Sequence, residues 1–102
     1  MAVLSHDDTL REISAVSLSE IAIKNAIGKL TLPWESVLTG IADLQIRVLP
    51  YGSSHARFLF GLPLHHRDPF DRQIIAQALA EDIPVVTSDP KFSFYQGLSV
   101  IW

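Results

Sequence analysis

The sequence contains no cysteine. This absence excludes disulfide bonds and thiolate metal sites, and it is typical of the reducing cytoplasm, where we expect this chain. No apolar run reaches the roughly 18 residues that a membrane-spanning helix needs, and no basic segment followed by an apolar one opens the chain. We therefore expect neither a membrane span nor a secretory leader.

Positive charge is also scarce, because the chain has 8 lysines and arginines but 11 acidic residues, which gives a formal net charge of -3. This charge balance argues against a broad basic surface that holds nucleic acid through its phosphates. Any contact with nucleic acid has to be local, made by a few cations and bridging metal ions. No internal repeat, low-complexity tract or linker divides the 102 residues, which we interpret as a single domain, 1–102.

Hydrophobic periodicity and turn residues predict strands that alternate with helices. The predicted strands are 12–16, 46–49, 83–87 and 98–101, and the predicted helices are 17–29, 34–44, a short one after residue 53 or 54, 69–81 and a turn at 89–90. Ser17 and Glu20 predict a capping box for the first helix, whose apolar residues from Leu18 to Leu30 predict a buried stripe. This order indicates an α/β domain with a parallel sheet flanked by helices.

Three carboxylates lie where predicted strands end or helices begin. Glu20 follows strand 12–16, Asp89 follows strand 83–87, and Asp71 opens the helix that leads to that second strand. The carboxyl ends of parallel strands share one edge, where open α/β folds bind ligands, so the three should face a common cleft. Taken singly, each acid is explained as a cap or a favoured charge in a first helical turn. Only their convergence favours a functional site.

Clustered carboxylates raise one another's pKa, and a hard divalent cation removes this repulsion. Mg²⁺ prefers oxygen ligands, and it can activate a water molecule while neutralising a phosphate. Zinc is the weaker choice, since the chain has no cysteine and no spaced histidine pair. His65 and His66 are adjacent, so on a strand they point to opposite faces, and we interpret them as non-ligands.

Three segments occur in an informative order: SAVSLSEIAIK at 14–24, LHHRDPFDR at 64–72 followed by IAQA at 75–78, and VVTSDP at 85–90. Together they resemble PIN-domain proteins, specifically the VapC-type toxins of bacterial toxin–antitoxin pairs. Any one motif is weakly informative, whereas their combination in this order is specific. The similarity runs over residues 12–102.

The resemblance implies a parallel-sheet α/β fold and a Mg²⁺- or Mn²⁺-dependent endoribonuclease that a partner antitoxin neutralises. It gives metal-binding and catalytic roles to Glu20, Asp71 and Asp89. Asp68 is a further candidate ligand that is better explained as a helix cap. Thr87 is a candidate to orient Asp89 or a metal-bound water.

Three cations are the nearest candidate contacts for the phosphates of an RNA substrate: Arg67, Arg72 and Lys24. Lys24 is equally well explained as the partner of Glu20 four residues earlier on the helix surface.

The front of the chain departs from the family pattern. Family members begin with an apolar strand that ends in Asp followed by Thr or Ser, and two helices follow it. Here only the atypical segment 1–11 precedes the matching part. Residues 2–4 could form a short strand, but 5–11 is too short for a parallel crossover, which needs roughly 10–12 residues or more. We therefore predict an N-terminally truncated, PIN-like sheet without its central first strand, in which Asp7 or Asp8 replaces the missing acid only by accident.

Three hypotheses follow from this departure. The first is a VapC-type ribonuclease with impaired activity, and the second is an inactive, truncated PIN domain that binds an antitoxin or itself. The third, less favoured, is an unrelated α/β phosphohydrolase. Loss of the central strand would expose the apolar edges of strands 12–16 and 83–87. We therefore expect a homodimer, or an antitoxin, to cover them.

Overall fold

The computed structural model describes residues 3–4 and 11–101, apart from the side chains of Val3 and Arg11. The strands in this part of the chain are β1 Val3–Leu4, β2 Arg11–Ser14, β3 Ile46–Leu49, β4 Val85–Val86 and β5 Val100–Ile101. The helices are α1 Ala15–Ala26, α2 Trp34–Asp43, α3 Ser53–Ala56 and α4 Pro69–Glu81, with 3₁₀ turns at Arg57–Leu59 and Pro90–Phe94. The predicted α/β class, parallel strands with flanking helices, is confirmed.

The five strands form one sheet in the order β3-β2-β1-β4-β5. β2 is parallel to β3, and β4 is parallel to β5. β1 lies between the two pairs and is antiparallel to both of its neighbours, with Leu4 opposite Glu12 and Val85. The four outer strands therefore run in the same direction, and their carboxyl ends share one edge of the sheet.

β1 occupies the central place that the sequence analysis leaves empty. A short connection cannot make a parallel crossover, but it can join antiparallel neighbours, and this is how β1 enters the sheet. The reversal has a consequence, because β1 ends at the edge opposite to the carboxyl ends of β2 and β4. Asp7 and Asp8, the candidate substitutes, lie outside the described residues.

The expected open edges are absent from the centre of the described sheet. Both β2 and β4 pair with β1. The prediction that these strands either pair directly or remain exposed is therefore wrong, and the homodimer inferred from it loses this basis.

The start of α1 differs from the predicted capping box. Ser14 caps the helix, since its Oγ accepts a hydrogen bond from the Val16 N–H at 3.1 Å. Ser17 lies inside the helix and is fully buried. The box of Ser17 and Glu20 is thus wrong, because the chain turns helical directly after β2. Glu20 lies in the second turn and has no capping role.

The start of α4 agrees with its prediction. Asp68 Oδ1 accepts hydrogen bonds from the N–H groups of Phe70 at 2.9 Å and Asp71 at 3.1 Å. Pro69 is the first helical residue, where its missing N–H and fixed φ favour initiation. These local features fix where the helix starts, and with it the position of the Asp71 carboxylate.

The core lies between α4 and one face of the sheet. Its buried apolar members are Leu4, Val16, Leu49, Ile74, Ile75, Ala78, Ile83, Val85, Phe92 and Tyr95. The predicted buried stripe on α4 is confirmed, whereas that on α1 is wrong beyond its first turns. Ile23 is 48% exposed and Ile27 is 61% exposed. The buried residues of α1 are Val16 and Ser17 in its first turn, and the later turns do not pack against the core. On another side of α1, Ile21 and Ala22 line a groove with Trp34 and Val37 of α2.

No helix in the described ranges is long and apolar enough to cross a membrane.

Candidate metal centre

Two acidic side chains reach the shared edge of the sheet from neighbouring elements. Asp71 is in the first turn of α4, and Asp89 follows β4 and caps the 3₁₀ turn at Pro90–Phe94. The Asp89 Oδ1 atom accepts from the Lys91 N–H at 2.9 Å, and its own N–H donates to Thr87 Oγ1 at 3.2 Å. Thr87 therefore holds the backbone of Asp89 in place.

A third side chain at this place is one that the sequence analysis rejects. The ligand atoms of His66, Asp71 and Asp89 all lie within 4.8 Å of one another. His66 Nε2 is 3.6 Å from Asp71 Oδ2, and His66 Nδ1 is 2.8 Å from the Tyr95 hydroxyl. The argument against His66 assumes a strand, but this segment is irregular, with His65 exposed and His66 buried. The overlooked signal is that His66 lies two residues before the helix cap.

The electrostatics of Asp71 indicate a crowded acidic environment. Partial burial raises the pKa of the Asp71 carboxyl above its ordinary value. The negative charges of Asp68, Glu20 and Asp89 raise this pKa further. The nearby His66 lowers the pKa of Asp71. Asp71 is therefore close enough to all three acids to be destabilised by their charge.

Glu20 adjoins this cluster and has its own cation. Lys24 Nζ donates to Glu20 Oε2 at 2.6 Å, which is the helical i, i+4 pair. This bond to Glu20 raises the pKa of the Lys24 ammonium, and the charges of Asp68 and Asp71 contribute in the same direction. Glu20 is therefore near Asp71, but it is outside the trio of ligand atoms that lie within 4.8 Å.

The other two candidate phosphate contacts differ from each other. The Arg72 guanidinium donates to the carbonyls of Pro63 at 2.8 Å and Leu62 at 3.1 Å, so it ties the preceding loop to α4. Arg67 is exposed in that loop. Of the two, Arg67 is the exposed one, whereas the Arg72 guanidinium is engaged by backbone carbonyls.

The edge of the sheet therefore presents two carboxylates and a buried imidazole, with a third carboxylate beside them. These donors suit a divalent cation, which would relieve the repulsion on Asp71. The comparison with protein families agrees with this arrangement, because the profile of the PIN domain matches residues 3–98. The chain belongs to the PIN domain family.

Membership in this family places the chain among nuclease-like domains that generally use divalent metal ions. The hypothesis of an unrelated α/β phosphohydrolase is therefore wrong. The match to the PIN domain begins at Val3, so it includes β1. No curated protein matches the chain significantly.

Proposed function

We propose that this PIN domain is a divalent-metal-dependent endoribonuclease of the VapC type, a cytoplasmic toxin that a partner antitoxin neutralises. The observation that supports it best is the convergence of Asp71 and Asp89 at the carboxyl edge of the sheet. Glu20 contributes its charge to the same place. Ordinary helix capping does not require such convergence.

The residues present fit the metal that the family implies. Glu20, Asp71 and Asp89 would hold Mg²⁺ or Mn²⁺, and the raised pKa of Asp71 indicates a site that lacks positive charge. When bound, the ion supplies phosphate neutralisation and an activated water. Asp68 uses one carboxylate oxygen to cap α4 and so positions Asp71, which favours a supporting role over a ligand role.

Substrate contacts have to be few, because the chain carries net negative charge. Arg67 is exposed beside the start of α4, and Lys24 lies next to Glu20. These two cations would contact the phosphates of the RNA. Arg72 would act indirectly, by holding the loop that carries Arg67.

We expect activity to be impaired. In the family pattern a fourth acid follows the first strand, but β1 of this chain runs in the opposite direction. A site with fewer carboxylates neutralises less of the ion's charge and binds it more weakly. Cleavage should therefore be slower than that of a complete four-acid site.

Exposed apolar side chains on and around α1 and α2 support a protein partner. They are Ile23, Ile27, Leu32, Trp34, Leu38 and Leu44. A surface of this kind is typical of protein interaction sites. It could bind an antitoxin or a second copy of the chain, and it is equally compatible with the second candidate function, a PIN domain that binds a partner but does not cut RNA.

Cleavage of RNA by the purified chain separates the two functions. After removal of metal with a chelator, Mg²⁺ or Mn²⁺ should restore slow cleavage, and Asp89→Asn should abolish it. Asp43→Asn, at an exposed position at the end of α2, is the matched control and should leave the rate unchanged. Equal absence of cleavage in all three proteins would favour the binding module. Robust cleavage would instead show that the missing acid matters little.

A further inference from the structure

We propose that His66 is a metal ligand through Nε2, so that the site prefers Mn²⁺, Co²⁺ or Zn²⁺ to Mg²⁺. This inference rests on the proposed metal site and adds a nitrogen ligand to its oxygen ligands. The position of His66 in the loop before α4 brings its ring to the same edge of the sheet as Asp71 and Asp89.

The buried Nε2 atom of His66 is the first observation. The His66 side chain is only 5% exposed. Within the described part of the chain, Nε2 is inaccessible to solvent and has no hydrogen-bond partner. Its nearest acidic atom, Asp71 Oδ2, is 3.6 Å away, which is too long for a hydrogen bond. A buried polar atom without a partner is unfavourable, and a bound cation would satisfy it.

The second observation is that the other ring nitrogen of His66, Nδ1, has a hydrogen-bond partner. His66 Nδ1 lies 2.8 Å from the Tyr95 hydroxyl, which can accept a hydrogen bond from Nδ1–H. This bond leaves a free lone pair on Nε2. Histidines that bind metals usually donate their other ring N–H to such an acceptor, which fixes the tautomer and the ring orientation.

The aromatic surroundings hold the imidazole in place. The ring centroid of His66 is 5.4 Å from that of Phe92 and 5.6 Å from that of Tyr95. Both aromatic side chains are buried in the core. They belong to the segment that directly follows Asp89, so the same segment positions a carboxylate ligand and supports the imidazole.

The distances are close to those of a bound ion. Ligands at about 2.1 Å from one ion can be separated by at most about 4.2 Å. The ligand atoms of His66, Asp71 and Asp89 all lie within 4.8 Å of one another. A carboxylate movement of less than about 1 Å would therefore complete the coordination.

The choice of metal follows from the donor atoms. Imidazole suits first-row transition ions, whereas carboxylate and water suit Mg²⁺. One nitrogen and two or three carboxylates form a mixed set, which accepts Mn²⁺, Co²⁺ and Zn²⁺ more readily than Mg²⁺. His66 would also add a neutral nitrogen ligand to the carboxylates of Asp71 and Asp89.

Calorimetric titration of metal-free protein with MnCl₂ and with MgCl₂ tests the proposal. The wild type should bind Mn²⁺ about tenfold or more tightly than Mg²⁺, and His66→Gln should lose most of that preference. His65→Gln is the matched control, because His65 is adjacent but exposed, and it should bind both ions as the wild type does. Tyr95→Phe removes only the supporting hydroxyl and should weaken Mn²⁺ binding roughly 10- to 100-fold.

A spectroscopic measurement on the wild type keeps the test independent of whether His66→Gln folds. In the Co²⁺-loaded protein, coordination through Nε2 should give one exchangeable, hyperfine-shifted proton resonance from the Nδ1–H group of His66. This resonance should be present in His65→Gln. Its absence from the Co²⁺-loaded wild type would overturn the proposal.

The remaining outcomes separate this inference from the proposed function. If His66→Gln binds Mn²⁺ as the wild type does, while Asp89→Asn does not, His66 is not a ligand and the carboxylate site stands. If the wild type binds none of these ions, both the His66 ligand and the metal-dependent nuclease are wrong.

Discussion

At the carboxyl of Asp71 two electrostatic effects oppose each other. The first turn of a helix favours a negative charge by roughly 0.3–1 kcal/mol. Burial and the surrounding acids outweigh this effect, since the pKa of Asp71 is raised. The folded protein without metal therefore holds a proton on Asp71 more tightly than the unfolded chain does. Ionised Asp71 is a liability to the fold unless a cation is bound.

Asp71→Asn should therefore increase the free energy of unfolding in the presence of a chelator at neutral pH. The advantage is present above the raised pKa and disappears as the pH falls below the ordinary value of 3.8, where the carboxyl becomes protonated in both states. Urea denaturation at several pH values measures this. With saturating Mn²⁺ the order should reverse, because only the wild type gains about 2.7 kcal/mol at a hundredfold excess over the dissociation constant. A less stable Asp71→Asn at neutral pH would mean that the helix N-terminus dominates.

Sequence patterns indicate the positions of Asp71 and Asp89 better than that of His66. Asp71 and Asp89 are adjacent to local features, a helix cap and a strand end, that a sequence pattern can locate. His66 lies in an irregular loop, and its orientation depends on Phe92 and Tyr95 from a distant segment. No local periodicity encodes a contact of that kind.

At the scale of one element, α4 positions the Asp71 carboxylate because the first residue of the helix is fixed. Asp68→Ala removes an acceptor for two N–H groups and should lower the free energy of unfolding by about 1 kcal/mol. Asp68→Asn keeps an acceptor oxygen but removes the charge, so it should leave the free energy of unfolding nearly unchanged. Urea denaturation of both variants separates capping from charge. If Asp68→Asn instead lost Mn²⁺ affinity as Asp89→Asn does, Asp68 would be a ligand after all.

The elements differ in how far the sequence predicts them. The bounds of α4 follow from Asp68, Pro69 and its apolar stripe, and β3 at Ile46–Leu49 has the predicted bounds. α1 does not follow its pattern, because its apolar residues cover more than one face and the sequence does not say which face is packed. The groove between α1 and α2 is a tertiary outcome.

At the scale of the whole molecule, the apolar surface near α1 and α2 replaces the sheet edge as the expected site of association. Ile27→Lys should change the free energy of unfolding by only about 0.5 kcal/mol, since Ile27 is 61% exposed. It should nevertheless weaken any self-association, as measured by light scattering over a dilution series. Phe60→Lys is the control, because Phe60 is 94% exposed and lies outside α1 and α2. Dimers that survive Ile27→Lys but not Phe60→Lys would place the interface elsewhere.

The direction of β1 is the largest difference between the expected and the observed molecule. The connection length correctly excludes a parallel crossover, but neither it nor the family resemblance predicts that an antiparallel strand takes the central place. β1 pairs with β2 and β4 at once, and such pairing depends on tertiary contacts across the whole sheet. Two residues of β1 are too few for a periodic pattern to indicate their partners.

The reversed strand also alters the order in which the chain can fold. A parallel central strand has to wait for a long crossover, whereas β1 and β2 are neighbours in sequence and can form a hairpin within roughly 1–10 μs. β4 can then pair with the other edge of β1, and this pairing closes the long loop between β2 and β4. Leu4→Ala should cost about 2–5 kcal/mol, since Leu4 is fully buried. Stopped-flow measurements should show most of this loss as slower folding, with little change in the unfolding rate. The central strand β1 would then belong to the folding nucleus, and it would not be the last strand to form.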